Sequence, residues 1–387
     1  MVRKIAIYIG SRANYSSAKP LMTKLSQNSK IQLLVVVGAA ANILKYGEVS
    51  KLISSDGFHI DASVYSLVEG ETPETMSQSV GLGLIELTNV LKRLSPDIAI
   101  AIGDRFDVLP WVIGAAMLNI NIAHTMGGER SGTIDESIRH VITKFSNFHF
   151  PATRDAYDRI IKMGEPEESV FLTGCPRIDY VSDVINNKVY IDPDFLSKNG
   201  GVGPIFKLEK SGFLLVSFHP VTSEYGNNGN SVKILLDSLS KISMPTVMLW
   251  PNADAGSNEV SREIRRFREK NNPNWLHLFT NLPIDDYILL MKNCACLIGN
   301  SSSAIREGAY IGTPVVDVGS RQNVRERSGN VISSELDVKN LVSSISYQIK
   351  NGHYASDDLY GDGNASLKIT NILSSIQLNS SQKLMSY

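Results

Sequence analysis

Between Gly103 and Lys144 the sequence reads GDRFDVLPWVIGAAMLNINIAHTMGGERSGTIDESIRHVITK, and it concentrates ionisable side chains. Asp104 and Arg105 follow a glycine, and Glu129 follows a Gly-Gly turn shortly after His124. Asp135, Glu136, Arg139 and His140 fall at helical spacing, which sets Arg139 one turn from both acids. Paired carboxylates beside an arginine suit acid–base work on a charged substrate: one acid removes a proton and another returns it. A salt-bridge cluster that only stabilises the fold is the competing reading. Thr133 and Glu136 also fit a capping box, with Thr133 as N-cap, which gives Glu136 a structural task and leaves Asp135 for chemistry.

A second set of residues suits a phosphate. Gly299-Asn300-Ser301-Ser302-Ser303 follows the apolar run Ala295–Ile298 and leads into a helix expected to begin near Ala304. A glycine and three hydroxyls at a helix N-terminus combine unpaired N–H donors with the positive end of the helix dipole, as a diphosphate cradle requires. A plain serine-rich cap is the alternative. Glu307 lies one turn into that helix, within reach of a ribose diol. His219, held by Pro220, follows the apolar run Phe213–Phe218 and is placed to meet a phosphate. Gly10-Ser11-Arg12 follows the first apolar run, with Arg12 a phosphate candidate or a solvated loop arginine. The segment is not G-x-G-x-x-G, so a nicotinamide cofactor is not indicated, and no Walker lysine points to ATP hydrolysis. WPNADAGS (250–257) and GSRQNVRER (319–327) follow their own strands and read equally as polar loops.

Such groups need strand ends to hold them. Strands are expected at Lys4–Ile9, Gln32–Gly38, His59–Tyr65, Asp97–Ile102, Ile120–His124 and Val170–Thr173, and again at Phe213–Phe218, Thr246–Trp250, Trp275–Leu278, Ala295–Ile298 and Pro314–Val318. Helix-length amphipathic segments separate them. One opens with Thr72 as N-cap and Pro73 at the first turn, and its face Met76, Val80, Leu84, Leu87, Leu91 and Leu94 is expected to be buried. Alternating strands and helices imply an α/β fold: two Rossmann-like, doubly wound parallel sheets facing a cleft, with ligands at the carboxyl ends of the strands. The expected division is a first domain at 1–185 carrying the carboxylates, a connection at 186–210, a second domain at 211–365, and a final helix and tail at 366–387 that packs back on the first.

The chain has 387 residues, enough for two cores, and a net charge of −1. There is no basic excess for nucleic acid or an anionic membrane surface. No apolar run approaches the roughly 20 residues of a membrane span. The opening MVRKIAIYIGS reads as a strand rather than a signal peptide. Cys175, Cys294 and Cys296 are too few and too scattered for a disulfide framework, and Cys294-x-Cys296 lacks the spacing of a metal site. A cytoplasmic protein is expected.

Taken together, GSRANYS, GDRFD, HTMGGERSGTIDESIRHVITK, GCPRIDYV, SFHPVTSE, PNADAGS, GNSSSAIREGAYIGTPVV and GSRQNVRER resemble the hydrolysing UDP-N-acetylglucosamine 2-epimerases of sialic- and legionaminic-acid synthesis, over residues 4 to 350. GDR rather than GDT favours the hydrolysing branch. The resemblance implies the GT-B arrangement and a UDP-sugar substrate, with no redox cofactor and no metal. It also implies a homodimer. It places Arg12, His219, Ser301 and Ser302 on the diphosphate, Glu307 on the ribose, Asn252 near the nucleotide, and Asp104, Arg105, Asp135 and Arg139 around the sugar; Asn300 and Arg321 are further substrate-binding candidates. The chain departs from that pattern at three sugar-side positions. Met126 stands where the family commonly has an acid, and Asn14 and Ser17 where Asp and Lys are common. Either Glu129 takes a catalytic role or Asp104 and Asp135 suffice; alternatively, Met126 faces an apolar group such as the methyl of a 6-deoxy sugar. A GT-B glycosyltransferase and an inactive UDP-sugar sensor are the competing functions.

Overall fold

A computed structural model describes residues 2–70, 72–187, 190–251, 254–280, 282–378 and 383. Among them, β1 (Arg3–Ile9), β2 (Ile31–Val37), β3 (Ala62–Ser63), β4 (Ile98–Ile102), β5 (Asn121–Thr125) and β6 (Phe148–Phe150) form a sheet in the order β3-β2-β1-β4-β5-β6. A second sheet is built from β7 (Leu214–Ser217), β8 (Thr246–Leu249), β9 (Leu276–Phe279), β10 (Cys296–Gly299), β11 (Val315–Val318) and β12 (Val331–Ser334), in the order β12-β11-β10-β7-β8-β9. Every pairing between these strands is parallel. Both orders are one doubly wound pattern, in which the winding reverses between β1 and β4 and again between β7 and β10. Open α/β sheets bind ligands at that reversal.

The sequence explains the strands. Helices on both faces of a parallel sheet bury both sides of each strand, so the strands read as unbroken apolar runs. IAIAI in β4 is buried at every residue. One core packs Leu87, Leu91, Trp111 and Val112 against β4 and β5, and another packs Val232, Leu235 and Ile264 against β7, β8 and β10.

Two compact units result. The described residues up to Arg130, Ile134–Tyr180 and those from Tyr360 onward make the first; Ser131–Thr133 and Val181–Leu359 make the second. The change-over thus falls at Tyr180, inside the helix Pro176–Asn187, and not in the stretch 186–210. From Val181 on, that helix already holds second-unit partners: Ser182 accepts from the Tyr310 hydroxyl and the Ile185 carbonyl accepts from Lys292. Part of the Gly- and Pro-rich stretch is itself pinned down, with Val202 bridging to Leu278 of β9 and the His277 ring nitrogens 2.8 and 3.0 Å from the Gly200 and Pro204 carbonyls. The helix Ala365–Ser375 packs on Arg12–Ser26 of the first unit, and Asp179 accepts from the N–H groups of Ala365 and Ser366 at its start.

Several elements differ from expectation. The run Val170–Thr173 makes only a bridge from Val170 to His149; the sixth strand is Phe148–Phe150. The run His59–Tyr65 pairs over Ala62–Ser63 alone, and β12 was not foreseen. The helix Pro73–Leu94 starts where expected, with Thr72 capping Thr75, but its buried stripe is Ser79, Gly83, Leu87, Val90 and Leu91. Met76, Val80, Leu84 and Leu94 are half-exposed. Close packing on the helix Leu109–Met117 turns it this way: a Cβ at Gly83 would stand 3.0 Å from Pro110, and one at Gly114 would stand 2.9 Å from Thr88. No described helix is long and apolar enough to cross a membrane.

Candidate active site

In the first unit the site grows from the ends of β1, β4 and β5. After β1, Ser11 caps the helix Arg12–Ser26 by accepting from the Asn14 N–H at 3.2 Å, and Asn14 donates across to the Ile102 carbonyl at 2.9 Å. Arg12 is the first residue of that helix and half-buried. A Cβ on Gly10 would meet the Asp107 carboxylate at 1.7 Å, so a larger residue there would have to displace it. Asp107 in turn accepts from Arg105 Nε at 3.0 Å, and the Arg105 guanidinium lies over the Phe106 ring.

The end of β4 presents Asp104 to Arg139, whose side chain is 0% exposed. Arg139 donates from Nε to Asp104 at 3.0 Å and also from Nη2 to the same oxygen, while Nη1 donates to the Glu129 carbonyl at 2.8 Å and to Glu136 at 2.7 Å. Burial works against this charge, but Asp104, Glu129 and Glu136 hold the guanidinium protonated, above its ordinary pKa. The structure therefore brings together Asp104, Glu129 and Arg139, and adds Glu136. Glu129 is 4% exposed. Asp135 opens the helix Asp135–Phe145 and is half-exposed.

The expected capping box is absent. Ile134, already in helical conformation, holds the N-cap position without a side-chain cap. Glu136 is taken instead by Arg139 and by His140, whose Nε2 lies 2.9 Å from it. A charge-assisted bond from Arg139 together with the His140 imidazole outweighs one backbone N–H.

His124, the penultimate residue of β5, is fully buried. Its Nε2–H donates to the Gly103 carbonyl at 2.9 Å, so Nδ1 accepts from the Thr143 hydroxyl at 3.2 Å. Burial holds its pKa down to about 3 against the pull of the Gly103 carbonyl, and the ring is neutral at physiological pH. One side chain thus ties the Asp104 loop to the helix that carries Arg139. Its place at the end of an apolar strand was visible in the sequence; its partners were not. Met126 adopts φ +60 and is 3% exposed, with its sulfur 3.2 Å from Cys175 Sγ. Two glycines follow it. A Cβ on Gly127 would strike the His124 ring at 2.7 Å, and one on Gly128 the Ala156 carbonyl at 2.3 Å.

The second unit repeats the placement with different side chains. His219 follows β7, half-buried, with Nε2 3.4 Å from the Ser217 hydroxyl. Asn300 follows β10 and exchanges two hydrogen bonds with the His219 backbone. The helix begins at Ser302 rather than Ala304, with Ser301 as N-cap accepting from the Ser303 N–H. The Ser303 hydroxyl is 2.9 Å from that of Ser301 and 2.7 Å from that of Tyr287. Glu307 is buried one turn inside. Arg321 donates to the Asn300 carbonyl at 3.0 Å and lies 4.0 Å from Asp254. Gln322, the neighbour of Arg321 in GSRQNVRER and not itself a candidate, donates to the same carbonyl at 3.2 Å. His219, Asn300, Ser301 and Arg321 are thus brought together. Asn252 lies outside the described residues. Among the described residues, no group of three or more His, Cys, Asp or Glu side chains is arranged to hold a metal ion.

A family model described as UDP-N-acetylglucosamine 2-epimerase matches residues 23–374. The UDP-N,N'-diacetylbacillosamine 2-epimerase (hydrolyzing) of Legionella pneumophila is 32% identical over 391 aligned residues, covering 98% of each chain. The UDP-N-acetylglucosamine 2-epimerase of Neisseria meningitidis serogroup B is 25% identical, over 94% of this chain and 92% of the relative. Among solved structures, the Methanocaldococcus jannaschii UDP-GlcNAc 2-epimerase in complex with UDP-GlcNAc and UDP superposes with a TM-score of 0.80 at 17% identity, over 96% of this chain and 99% of that one. That likeness shows the fold, a pair of Rossmann-like sheets of the GT-B kind.

Proposed function

The chain belongs to the UDP-N-acetylglucosamine 2-epimerase family, and from that premise we propose that it is a hydrolysing 2-epimerase, which converts a UDP-2-acetamido sugar to UDP and the free 2-epimeric sugar. The observation that carries this reading is Asp104 of Gly103-Asp104-Arg105 paired with Arg139 of the helix Asp135–Phe145, at the reversal point of the first sheet, within a chain that aligns end to end with a hydrolysing relative.

The chemistry follows from the sugar. Its C2 proton has no neighbouring ring carbonyl and is too weakly acidic for a carboxylate to remove outright. The C1–O bond to UDP therefore breaks early, and positive charge develops at C1. Arg12, His219 and the Ser301–Ser302 helix start stabilise the departing diphosphate. Arg321 is assigned to the nucleotide and Glu307 to the ribose, while Arg105 helps to hold the sugar; the assignment of Asn252 to the nucleotide rests on the family resemblance alone. A carboxylate then removes the acidified C2 proton and leaves a glycal. Water adds at C1, and an acid returns a proton to the opposite face of C2. Asp104, Asp135 and Glu129 are the carboxylates assigned to these steps. Arg139, wholly buried and saturated with carboxylates and a carbonyl, acts by orienting Asp104 and not by meeting the sugar itself.

Turnover in 18O-labelled water tests the hydrolysing step. Label at C1 of the released sugar and none in UDP supports it. UDP-sugar epimerised at C2, with no free UDP, would place the chain with the non-hydrolysing enzymes.

One observation favours a particular sugar. The buried Met126–Cys175 sulfur pair replaces a customary acid with an apolar surface. A UDP-2,4-diacetamido-2,4,6-trideoxy sugar offers a methyl in place of a hydroxymethyl group, and the Legionella relative is named for such a substrate. The enzyme is read as a cytoplasmic homodimer, and sedimentation at micromolar concentration tests the dimer.

A further inference from the structure

We propose that Asn300 is a positioning residue for His219, and that it does not contact the substrate. The inference rests on the reading of His219 as a group that meets the diphosphate.

Asn300 is 1% exposed, and both polar ends of its side chain have backbone partners. Oδ1 accepts from the His219 N–H at 2.8 Å, and Nδ2 donates to the His219 carbonyl at 2.8 Å. An amide engaged in this way presents no surface to a ligand. It does what a further strand residue would do. The β7–β10 ladder ends at the pair Ser217–Gly299, and the Asn300 N–H still donates to the Ser217 carbonyl at 3.2 Å. Beyond that point the side-chain amide continues the ladder, holding His219 at both its N–H and its carbonyl.

The close approach depends on Gly299. Its φ is +144, and a Cβ there would stand 2.1 Å from the Ser217 carbonyl oxygen. The main-chain carbonyl of Asn300 completes the arrangement by accepting from Arg321 and Gln322. One residue thereby joins the His219 strand end, the start of the serine helix and the Arg321 loop. Histidine and serine cradle are presented to a phosphate as one preorganised set, at a position where a mobile histidine would have to be ordered at each binding event.

The test is a double-mutant cycle on UDP affinity and turnover, with N300A, H219A and the double variant. H219A and N300A should each weaken UDP binding by about tenfold, and the double variant should be within about twofold of H219A, because Asn300 acts through His219. N300D keeps the acceptor for the His219 N–H but sets an ionised oxygen against the His219 carbonyl. It should lose affinity at pH 8 and regain part of it as the pH falls and the carboxyl can donate. That recovery carries the test if N300A does not fold. Independent losses that multiply in the double variant, or wild-type binding by N300A, would overturn the inference while leaving the reading of His219 intact. Wild-type binding by H219A would overturn that reading, and the inference with it.

Discussion

The two units share one strand order and one reversal point, and they furnish it differently. At the β1/β4 point the first unit places charge against charge: Asp104, Glu129 and Glu136 surround a fully buried Arg139. At the β7/β10 point the second unit places neutral donors and hydroxyls, organised by Asn300, with Arg321 at the edge. Paired charges in a buried setting can hold and pass protons. Neutral donors at a helix start hold a diphosphate without competing for its charge. Under the proposed function the first unit supplies the proton-handling groups and the second most of the groups on the diphosphate, Arg12 being the exception, and the difference lies in a few residues after each strand.

The largest effect should come from Asp104. D104N is expected to lower turnover by about 10³-fold while UDP affinity stays within about threefold, since acid–base groups contribute roughly 10²–10⁴. Steady-state kinetics beside calorimetric UDP binding checks this, and equal losses in both would erase the division between the halves. Next comes Arg139. R139M leaves the half-buried Asp104 and Glu136 and the buried Glu129 without their cation and should cost about 3 kcal/mol of folding stability, the lower end for a broken buried pair, measured by urea unfolding. R321M, at a half-buried site donating to a neutral carbonyl, should cost about 1 kcal/mol. Similar values would mean that the first cluster is not the more strongly coupled one.

A smaller effect is the acid sensitivity of the first unit. His124 has its pKa held down to about 3 by burial, and burial lowers that of His149 as well, though its hydrogen bond to Glu165 opposes the shift. The unfolded chain binds protons at such histidines near pH 6.5. Between about 3 and 6.5 it therefore carries more protons than the folded one, and stability rises with pH across that window. Each fully neutral histidine contributes a slope of about 1.4 kcal/mol per pH unit. H124Q should remove one such increment from the slope seen by denaturant unfolding at pH 4 to 6; an unchanged slope would mean that His124 is not buried neutral. The smallest effect concerns Met126. M126E should shift the preference between UDP-N-acetylglucosamine and the 2,4-diacetamido-trideoxy sugar by about tenfold towards the former, the scale of one methyl-sized discrimination. An unchanged kcat/KM ratio would detach Met126 from the choice of sugar.

Much of this was legible in the sequence where local rules act alone. Unbroken apolar runs marked ten of the strands, at least in part, and Thr72-Pro73 marked a helix start because cap and proline are local devices. Reading failed where a distant partner decides. The three residues of β6 are too short to show a period, and pair only because β5 lies alongside. Glu136 is held by Arg139 and His140 of its own helix, and Arg139 is itself fixed by Asp104, 35 residues away. Asn300 looked like a substrate-binding residue from its place in GNSSS, and the His219 backbone that occupies it lies 81 residues away. The candidate site could be assembled from strand-end residues. Which of them meet substrate and which hold others in place depended on contacts that sequence spacing does not encode.

The central claim is proton exchange at C2 linked to loss of UDP. The most direct measurement is proton NMR of the protein with UDP-N-acetylglucosamine, and in parallel with the diacetamido-trideoxy sugar nucleotide, in deuterated water. The account predicts free UDP and a manno-configured sugar with deuterium at C2 from at least one of the two. UDP release with the C2 proton retained, or no turnover of either, would contradict it.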